Sequence, residues 1–308
     1  MFAWLRRLRA PDPVVDDSSA VLSAEELREL RRLHVMMGRK VDSLFSGDWR
    51  SAVRGRGMEF EEVRPYQPGD DVRRIDWNVT ARTGEPFVKV FKEERQAIVL
   101  LVIDVSGSTR AGTGGRDGRT NRRLQLARVA GGLALAGIRN QDRIGLVTFT
   151  DRVEQYLSPR RSRGHSWAII QSVYSGRVQG HGTDLAAALG FVHQVQRRRA
   201  VIVVASDFLD DGPWADPLAS LARRHRVHAI AVHDPLDHRQ PALGLIDVID
   251  PETGARRVVD AAAWVGRTAA EDRVTALRRL GVRASALSTE DDAFAVLHRH
   301  FAAEGARR

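Results

Sequence analysis

Two unbroken apolar runs constrain this chain more than any other feature: AIVLLVI at residues 97–103 and AVIVVA at residues 200–205. Both fall far short of the roughly 18–20 apolar residues that a membrane-spanning helix needs. Both are rich in β-branched residues and lack polar alternation. That pattern marks a strand buried on both faces, as in a parallel sheet covered by helices. Around these runs, strands near 143–149, 152–157 and 226–232 alternate with helices at 122–139, 165–176, 183–196 and 214–224. Strands near 244–249 and 256–260 follow, then helices near 262–280 and 290–302. The alternation predicts the α/β class: a doubly wound, mostly parallel sheet flanked by helices.

The upstream part reads differently. Residues 1–22 form a flexible tail and linker, with two prolines and an acidic pair at 10–22. Ser23 followed by Glu26 is a capping box that opens a helix through about residue 45. From 47 to 97, glycines and prolines punctuate short β-like runs such as FVKVF at 87–91. The expected division is a tail at 1–22, a helix with a small β-rich accessory region at 23–96, and the α/β domain at 97–308. Within the charged block at 54–77, Arg64, Asp70, Asp71, Arg73 and Asp76 are expected to form an ion-pair and turn network around Trp77.

Composition removes several functions. With no cysteine, disulfides, thiolate metal sites and cysteine nucleophiles are excluded, and a reducing, cytoplasmic setting fits. Lys and Arg total 48 against 39 Asp and Glu, a net charge of +9. These charges are interspersed, without the aromatic-rich basic stripe that single-stranded nucleic acid requires. No P-loop and no nucleophile elbow is present. His225 and His228 flank a strand start and His298 and His300 lie on the last helix, but neither pair has zinc spacing.

Open α/β sheets bind ligands at the carboxyl ends of their strands, so the residues after each buried run matter most. After the first comes Asp104-Val105-Ser106-Gly107-Ser108, one carboxylate and two hydroxyls at alternate positions. After the second comes Asp207. Between them Thr183, in GHGTDL, stands at a helix start, where it could also be only a helix N-cap. Few carboxylates among several hydroxyls suit a hard cation such as magnesium, which accepts oxygen ligands and keeps part of its water.

Asp104, Ser106 and Ser108 resemble the Asp-x-Ser-x-Ser motif of von Willebrand factor A domains. Thr183 resembles that family's separate threonine, and Asp207 its later aspartate. The resemblance implies a magnesium-dependent adhesion site, open to Mn2+ or Ca2+, in which an acidic side chain of a partner completes the shell. Further upstream, RGMEF at 56–60, RPYQPGDD at 64–71 and RRIDW at 73–77 resemble the bacterial domain-of-unknown-function family 58. That second resemblance implies work beside a MoxR-like AAA+ ATPase in chaperone-like maturation of client proteins. Many members carry amino-terminal membrane helices, and none is legible here.

Two other functions compete. Asp104 at a strand end is also where haloacid-dehalogenase-type phosphatases keep their nucleophile, so a metal-dependent phosphoester hydrolase is the enzymatic alternative. Those enzymes need a second aspartate two residues on as proton donor, and Ser106 stands there instead. A scaffold with a vestigial metal site is the other alternative. The expectation is a non-catalytic binding protein.

Overall fold

The computed structural model describes residues 28, 31–32, 35–37, 58–93, 97–110, 120–237, 245–249, 255–260 and 270–305. The tail at 1–22 and most of the Gly/Arg-rich loop at 111–119 lie outside them, as do residues 261–269, where a helix start was expected.

β1 (Met58–Pro65) and β2 (Phe87–Glu93) form an antiparallel pair. Between them lies the short α1 (Trp77–Thr83), whose N-cap Asp76 accepts from the N–H groups of Asn78 and Val79. The chain then enters a six-stranded sheet. Its strands are β3 (Ile98–Asp104), β4 (Arg143–Phe149), β5 (Val153–Arg160), β6 (Val201–Ser206), β7 (Arg226–His233) and β10 (Arg283–Ser288). Their order is β10-β7-β6-β3-β4-β5. Every neighbouring pair is parallel except β4 with β5. A separate antiparallel hairpin, β8 (Leu245–Ile249) with β9 (Arg256–Asp260), is inserted after β7.

Alternation along β3 explains the layers. Val99, Leu101 and Ile103 enter one core; Leu100 and Val102 enter the other. On the first face pack α2 (Arg122–Arg139), α3 (Arg163–Ser175) and α7 (Ala293–Gly305), through Leu126, Ile170 and Phe294 among others. On the second face pack α4 (Leu185–Val195), α5 (Ala215–Arg224) and α6 (Ala270–Arg279), through Leu189, Leu218 and Leu277. A strand covered on both faces must be apolar throughout, which is why β3 and β6 read as continuous runs.

The small residues of α2 have a packing role. A Cβ on Gly131 would sit 2.6 Å from Met37 Sδ and 2.8 Å from Ile170 Cγ1. Met37, among the helical residues 35–37, is fully buried against this core. The chain therefore contacts the sheet domain through Met37.

Three expectations need correction. Thr183 is not a helix cap: α4 begins at Leu185, and its N-cap is Asp184, whose carboxylate accepts from the Ala187 N–H at 2.8 Å. Trp77 is not the centre of the charged network, because it is 70% exposed. The network itself exists as two units. Arg64 grips Asp70 through both carboxylate oxygens at 2.8 and 2.7 Å, and Lys89 pairs with Asp76 at 3.2 Å. Asp71 caps the following turn through the Arg73 N–H. Finally, β10 was absent from the expected elements. Its sequence RASALS is half polar because it is an edge strand with a mixed burial pattern.

Candidate functional site

The connections decide where a ligand can sit. From β3 the chain runs outward through β4 and β5, then returns to place β6 on the other side of β3. This reversal of winding direction opens a crevice at the carboxyl ends of β3 and β6. Asp104 is the last residue of β3, and Ser206 the last of β6.

Three loops meet there and are sewn together by hydrogen bonds. Ser206 Oγ donates to Asp104 Oδ2 at 2.7 Å, joining the two central strand ends. The Leu185 N–H donates to Asp210 Oδ2 at 2.9 Å, joining the loop that carries Thr183 to the loop that carries Asp207. The Asp184 N–H donates to Thr150 O at 2.8 Å, holding the Thr183 loop against the end of β4. Gly180 permits that approach, since a Cβ there would lie 2.0 Å from Asp151 Oδ1 and 2.1 Å from Thr150 Oγ1.

Asp104 is fully buried. Its Oδ1 accepts from the Ser106 N–H at 2.9 Å, an Asx-type turn that bends the loop back over the strand end. The hydroxyls of Ser106 and Ser108 are 3.1 Å apart. Asp207 is buried as well, with Oδ1 accepting from the Leu209 N–H at 3.1 Å. Burial, and then the neighbouring Asp207 charge, push the Asp104 carboxyl up to about 6. Two carboxylates are thus held close in a dry place, an arrangement whose repulsion a bound cation relieves. Thr183 is half-buried on the loop just described, beside the glycine at 182, which takes a left-handed φ of 102°. Among the described residues no group of three or more His, Asp or Glu side chains converges on a metal position. The donor set at this crevice is instead two carboxylates with hydroxyls, which fits a hard cation with few anionic ligands.

Arginines brace the loops from behind. Arg123 Nε donates to Thr109 Oγ1 at 2.8 Å, Nη1 to Val173 O at 3.2 Å, and Nη2 to Val105 O and Ser106 O. Arg122 Nη1 donates to Ser108 O at 3.2 Å, and Arg273 Nη1 to Asp207 O at 2.7 Å. Sequence reasoning missed all three, together with Ser206, Thr150 and Asp210. One signal was available. Arg122 and Arg123 occupy the first turn of α2, where the helix dipole disfavours cations, so local acceptors had to compensate.

A sheet of this order, flanked on both faces and carrying an Asp-x-Ser-x-Ser loop at its switch point, is a von Willebrand factor A-like domain. The chain belongs to the family described as "Protein of unknown function DUF58", whose model matches residues 62–279. An uncharacterized protein of Mycobacterium tuberculosis is 34% identical over 230 residues, covering 74% of this chain and 71% of that one. A Paracoccus denitrificans protein described as "in moxR 3'region" is 37% identical over 92 residues, covering 29% of this chain and 88% of that one. Among solved structures, BatB from Bacteroides thetaiotaomicron aligns with a TM-score of 0.49 at 14% identity, over 68% of this chain and 99% of that one. The SpRpn10 VWA domain aligns with a TM-score of 0.38 at 11% identity, over 69% and 95%.

Proposed function

We propose that the crevice at the ends of β3 and β6 binds a divalent cation, magnesium before manganese or calcium, to capture an acidic side chain of a protein partner. The residues assigned to the cation are Asp104, Ser106, Ser108, Thr183 and Asp207. The observation that carries this reading is the burial of Asp104 beside Asp207, with its carboxyl pushed up to about 6. A site built for stability alone would not hold two carboxylates together in a dry crevice. When bound, magnesium would supply charge neutralisation and a position open to an external oxygen anion. The chain's own part is to hold the donors still. Ser206 fixes one Asp104 oxygen, the Ser106 N–H fixes the other, and Arg123 and Arg273 fix the loop carbonyls.

We assign the chain no catalytic step, because Ser106 offers no carboxylic acid where a phosphatase would need one. The Paracoccus relative from the moxR 3' region supports a MoxR-type AAA+ ATPase, or its client, as the partner. The reading expects a cytoplasmic site of action. Among the described residues no helix is long and apolar enough to cross a membrane.

Magnesium titration by calorimetry, with melting curves in magnesium and in chelator, tests the cation. Heat of binding and a raised melting midpoint are expected, and their absence would leave only a scaffold. Capture of partner from native lysate should require magnesium and fail for the Ser106→Ala, Ser108→Ala double variant. Phosphoester turnover in magnesium that Asp104→Asn abolishes would replace this reading with an enzymatic one.

A further inference from the structure

We infer that Arg122 is the positioning residue for Ser108, and that its buried pairing with Asp237 makes the cation site answer to the turn Pro235–Asp237 that follows β7. The inference deepens the cation reading and rests on it. Arg122 reaches in two directions. Nη1 donates to Ser108 O at 3.2 Å, and Nη2 forms an ion pair with Asp237 Oδ1. Both side chains are over nine-tenths buried, at 7% and 8% exposure. Asp237 closes the 3-10 turn Pro235–Asp237 that leaves β7, and its Oδ2 accepts from the Asp234 N–H at 3.0 Å. Asp234 in turn accepts from Thr289 Oγ1 at 2.7 Å, at the end of β10. A chain of polar contacts thus runs from the Ser108 carbonyl to the ends of β7 and β10.

This placement is hard to explain as stabilisation. A guanidinium on the first turn of a helix opposes the helix dipole. A buried ion pair returns little net stability over apolar residues of the same volume, because both charges lose their water. What the pair does supply is a fixed link between Ser108 and the turn that leaves β7. Ser108 lies in the short 3-10 turn Gly107–Arg110, and Arg122 reaches its carbonyl from the first turn of α2. Through Arg122 the Ser108 carbonyl is coupled to the turn Pro235–Asp237, beside the bracing that Arg123 gives the rest of the loop.

The test uses the full chain and the Arg122→Met, Asp237→Asn double variant, which removes both charges together with little added volume. Arg122→Gln alone serves as a second variant, should the double fail to fold. Amide hydrogen exchange in chelator reads the loop without metal, and magnesium calorimetry reads the site. Exchange at residues 105–109 is expected to speed up at least ~10-fold, since local opening becomes easier. Magnesium affinity is expected to fall ~10–100-fold, as when groups that orient metal ligands are lost. Unchanged exchange in that loop, or wild-type magnesium affinity in a folded variant, overturns the inference. If the wild-type chain takes up no magnesium, the cation reading itself fails, and exchange still decides whether the pair positions Ser108.

Discussion

Ser206 donates to Asp104 at 2.7 Å across 102 residues of chain, a side-chain bond between the last residues of the two central strands. It leaves the Asp104 carboxylate with a partner on each oxygen and still buried beside Asp207.

That carboxylate should cost the metal-free protein stability at neutral pH. Its folded pKa, about 6, lies above the value of about 3.9 usual for an unfolded aspartate. The protonated form is therefore favoured on folding. The penalty is absent below pH ~4, develops between pH ~4 and ~6, and is complete above that. Asp104→Asn in chelator is expected to stabilise by about 1–3 kcal/mol at pH 7.5 and by almost nothing at pH 4. It should also erase any stabilisation by magnesium. Urea unfolding at the two pH values measures both effects, and a variant weaker than wild type at pH 7.5 would count against the argument.

Arg123 reaches four acceptors on two segments, the loop after β3 and α3. Arg123→Met keeps the volume but takes the guanidinium donors from the carbonyls of Val105 and Val173, at roughly 1–3 kcal/mol each. A loss of more than ~3 kcal/mol is expected in denaturant titration. Arg123→Lys should recover less than half, because one ammonium lacks the planar fork that reaches several acceptors.

His228 and His300 form a buried pair, Nδ1 to Nε2 at 2.9 Å, and His300 Nδ1 lies 2.8 Å from Ser285 Oγ. Burial, then the charges of Arg283 and Arg278, hold His300 down at about 3; burial and the neighbouring His300 hold His228 well below its usual range. Both imidazoles are neutral in the fold. Their folded pKa values lie below the unfolded value near 6.5, so their contribution is intact above that pH and is lost as pH falls through it. Each histidine should remove about 1.4 kcal/mol of stability per pH unit below ~6.5. Melting curves from pH 7 to 5 check this, and His228→Gln should flatten the profile by one histidine's share.

Met37 fills the space above Gly131 that a side chain there would occupy. Met37→Ala should cost about 2–5 kcal/mol through the cavity it leaves. Chemical denaturation should show the loss in the one transition of the sheet domain. A variant with unaltered midpoint would mean that Met37 is not part of that cooperative unit.

Much of this was legible in one dimension. Continuous runs at 97–103 and 200–205 could be read as strands because burial on two faces leaves no position free to be polar. The residues after such runs could be read as a site because a strand's carboxyl end is where an open sheet exposes backbone and side chains to a ligand. β10 was hidden for the converse reason: an edge strand has a side facing water, so its polar half erased the apolar signal.

The sequence alone therefore determined the two central strands, the class of fold and the five oxygen-bearing candidates, since each depends on local pattern and spacing. Only the tertiary structure decided that Ser206 meets Asp104, that Asp210 meets the Leu185 N–H, and that Arg122 joins Ser108 to Asp237. The physical reason is range. Hydrophobic periodicity is written within a few neighbouring residues, whereas a hydrogen bond acts over about 3 Å between groups that the winding of the sheet alone brings together.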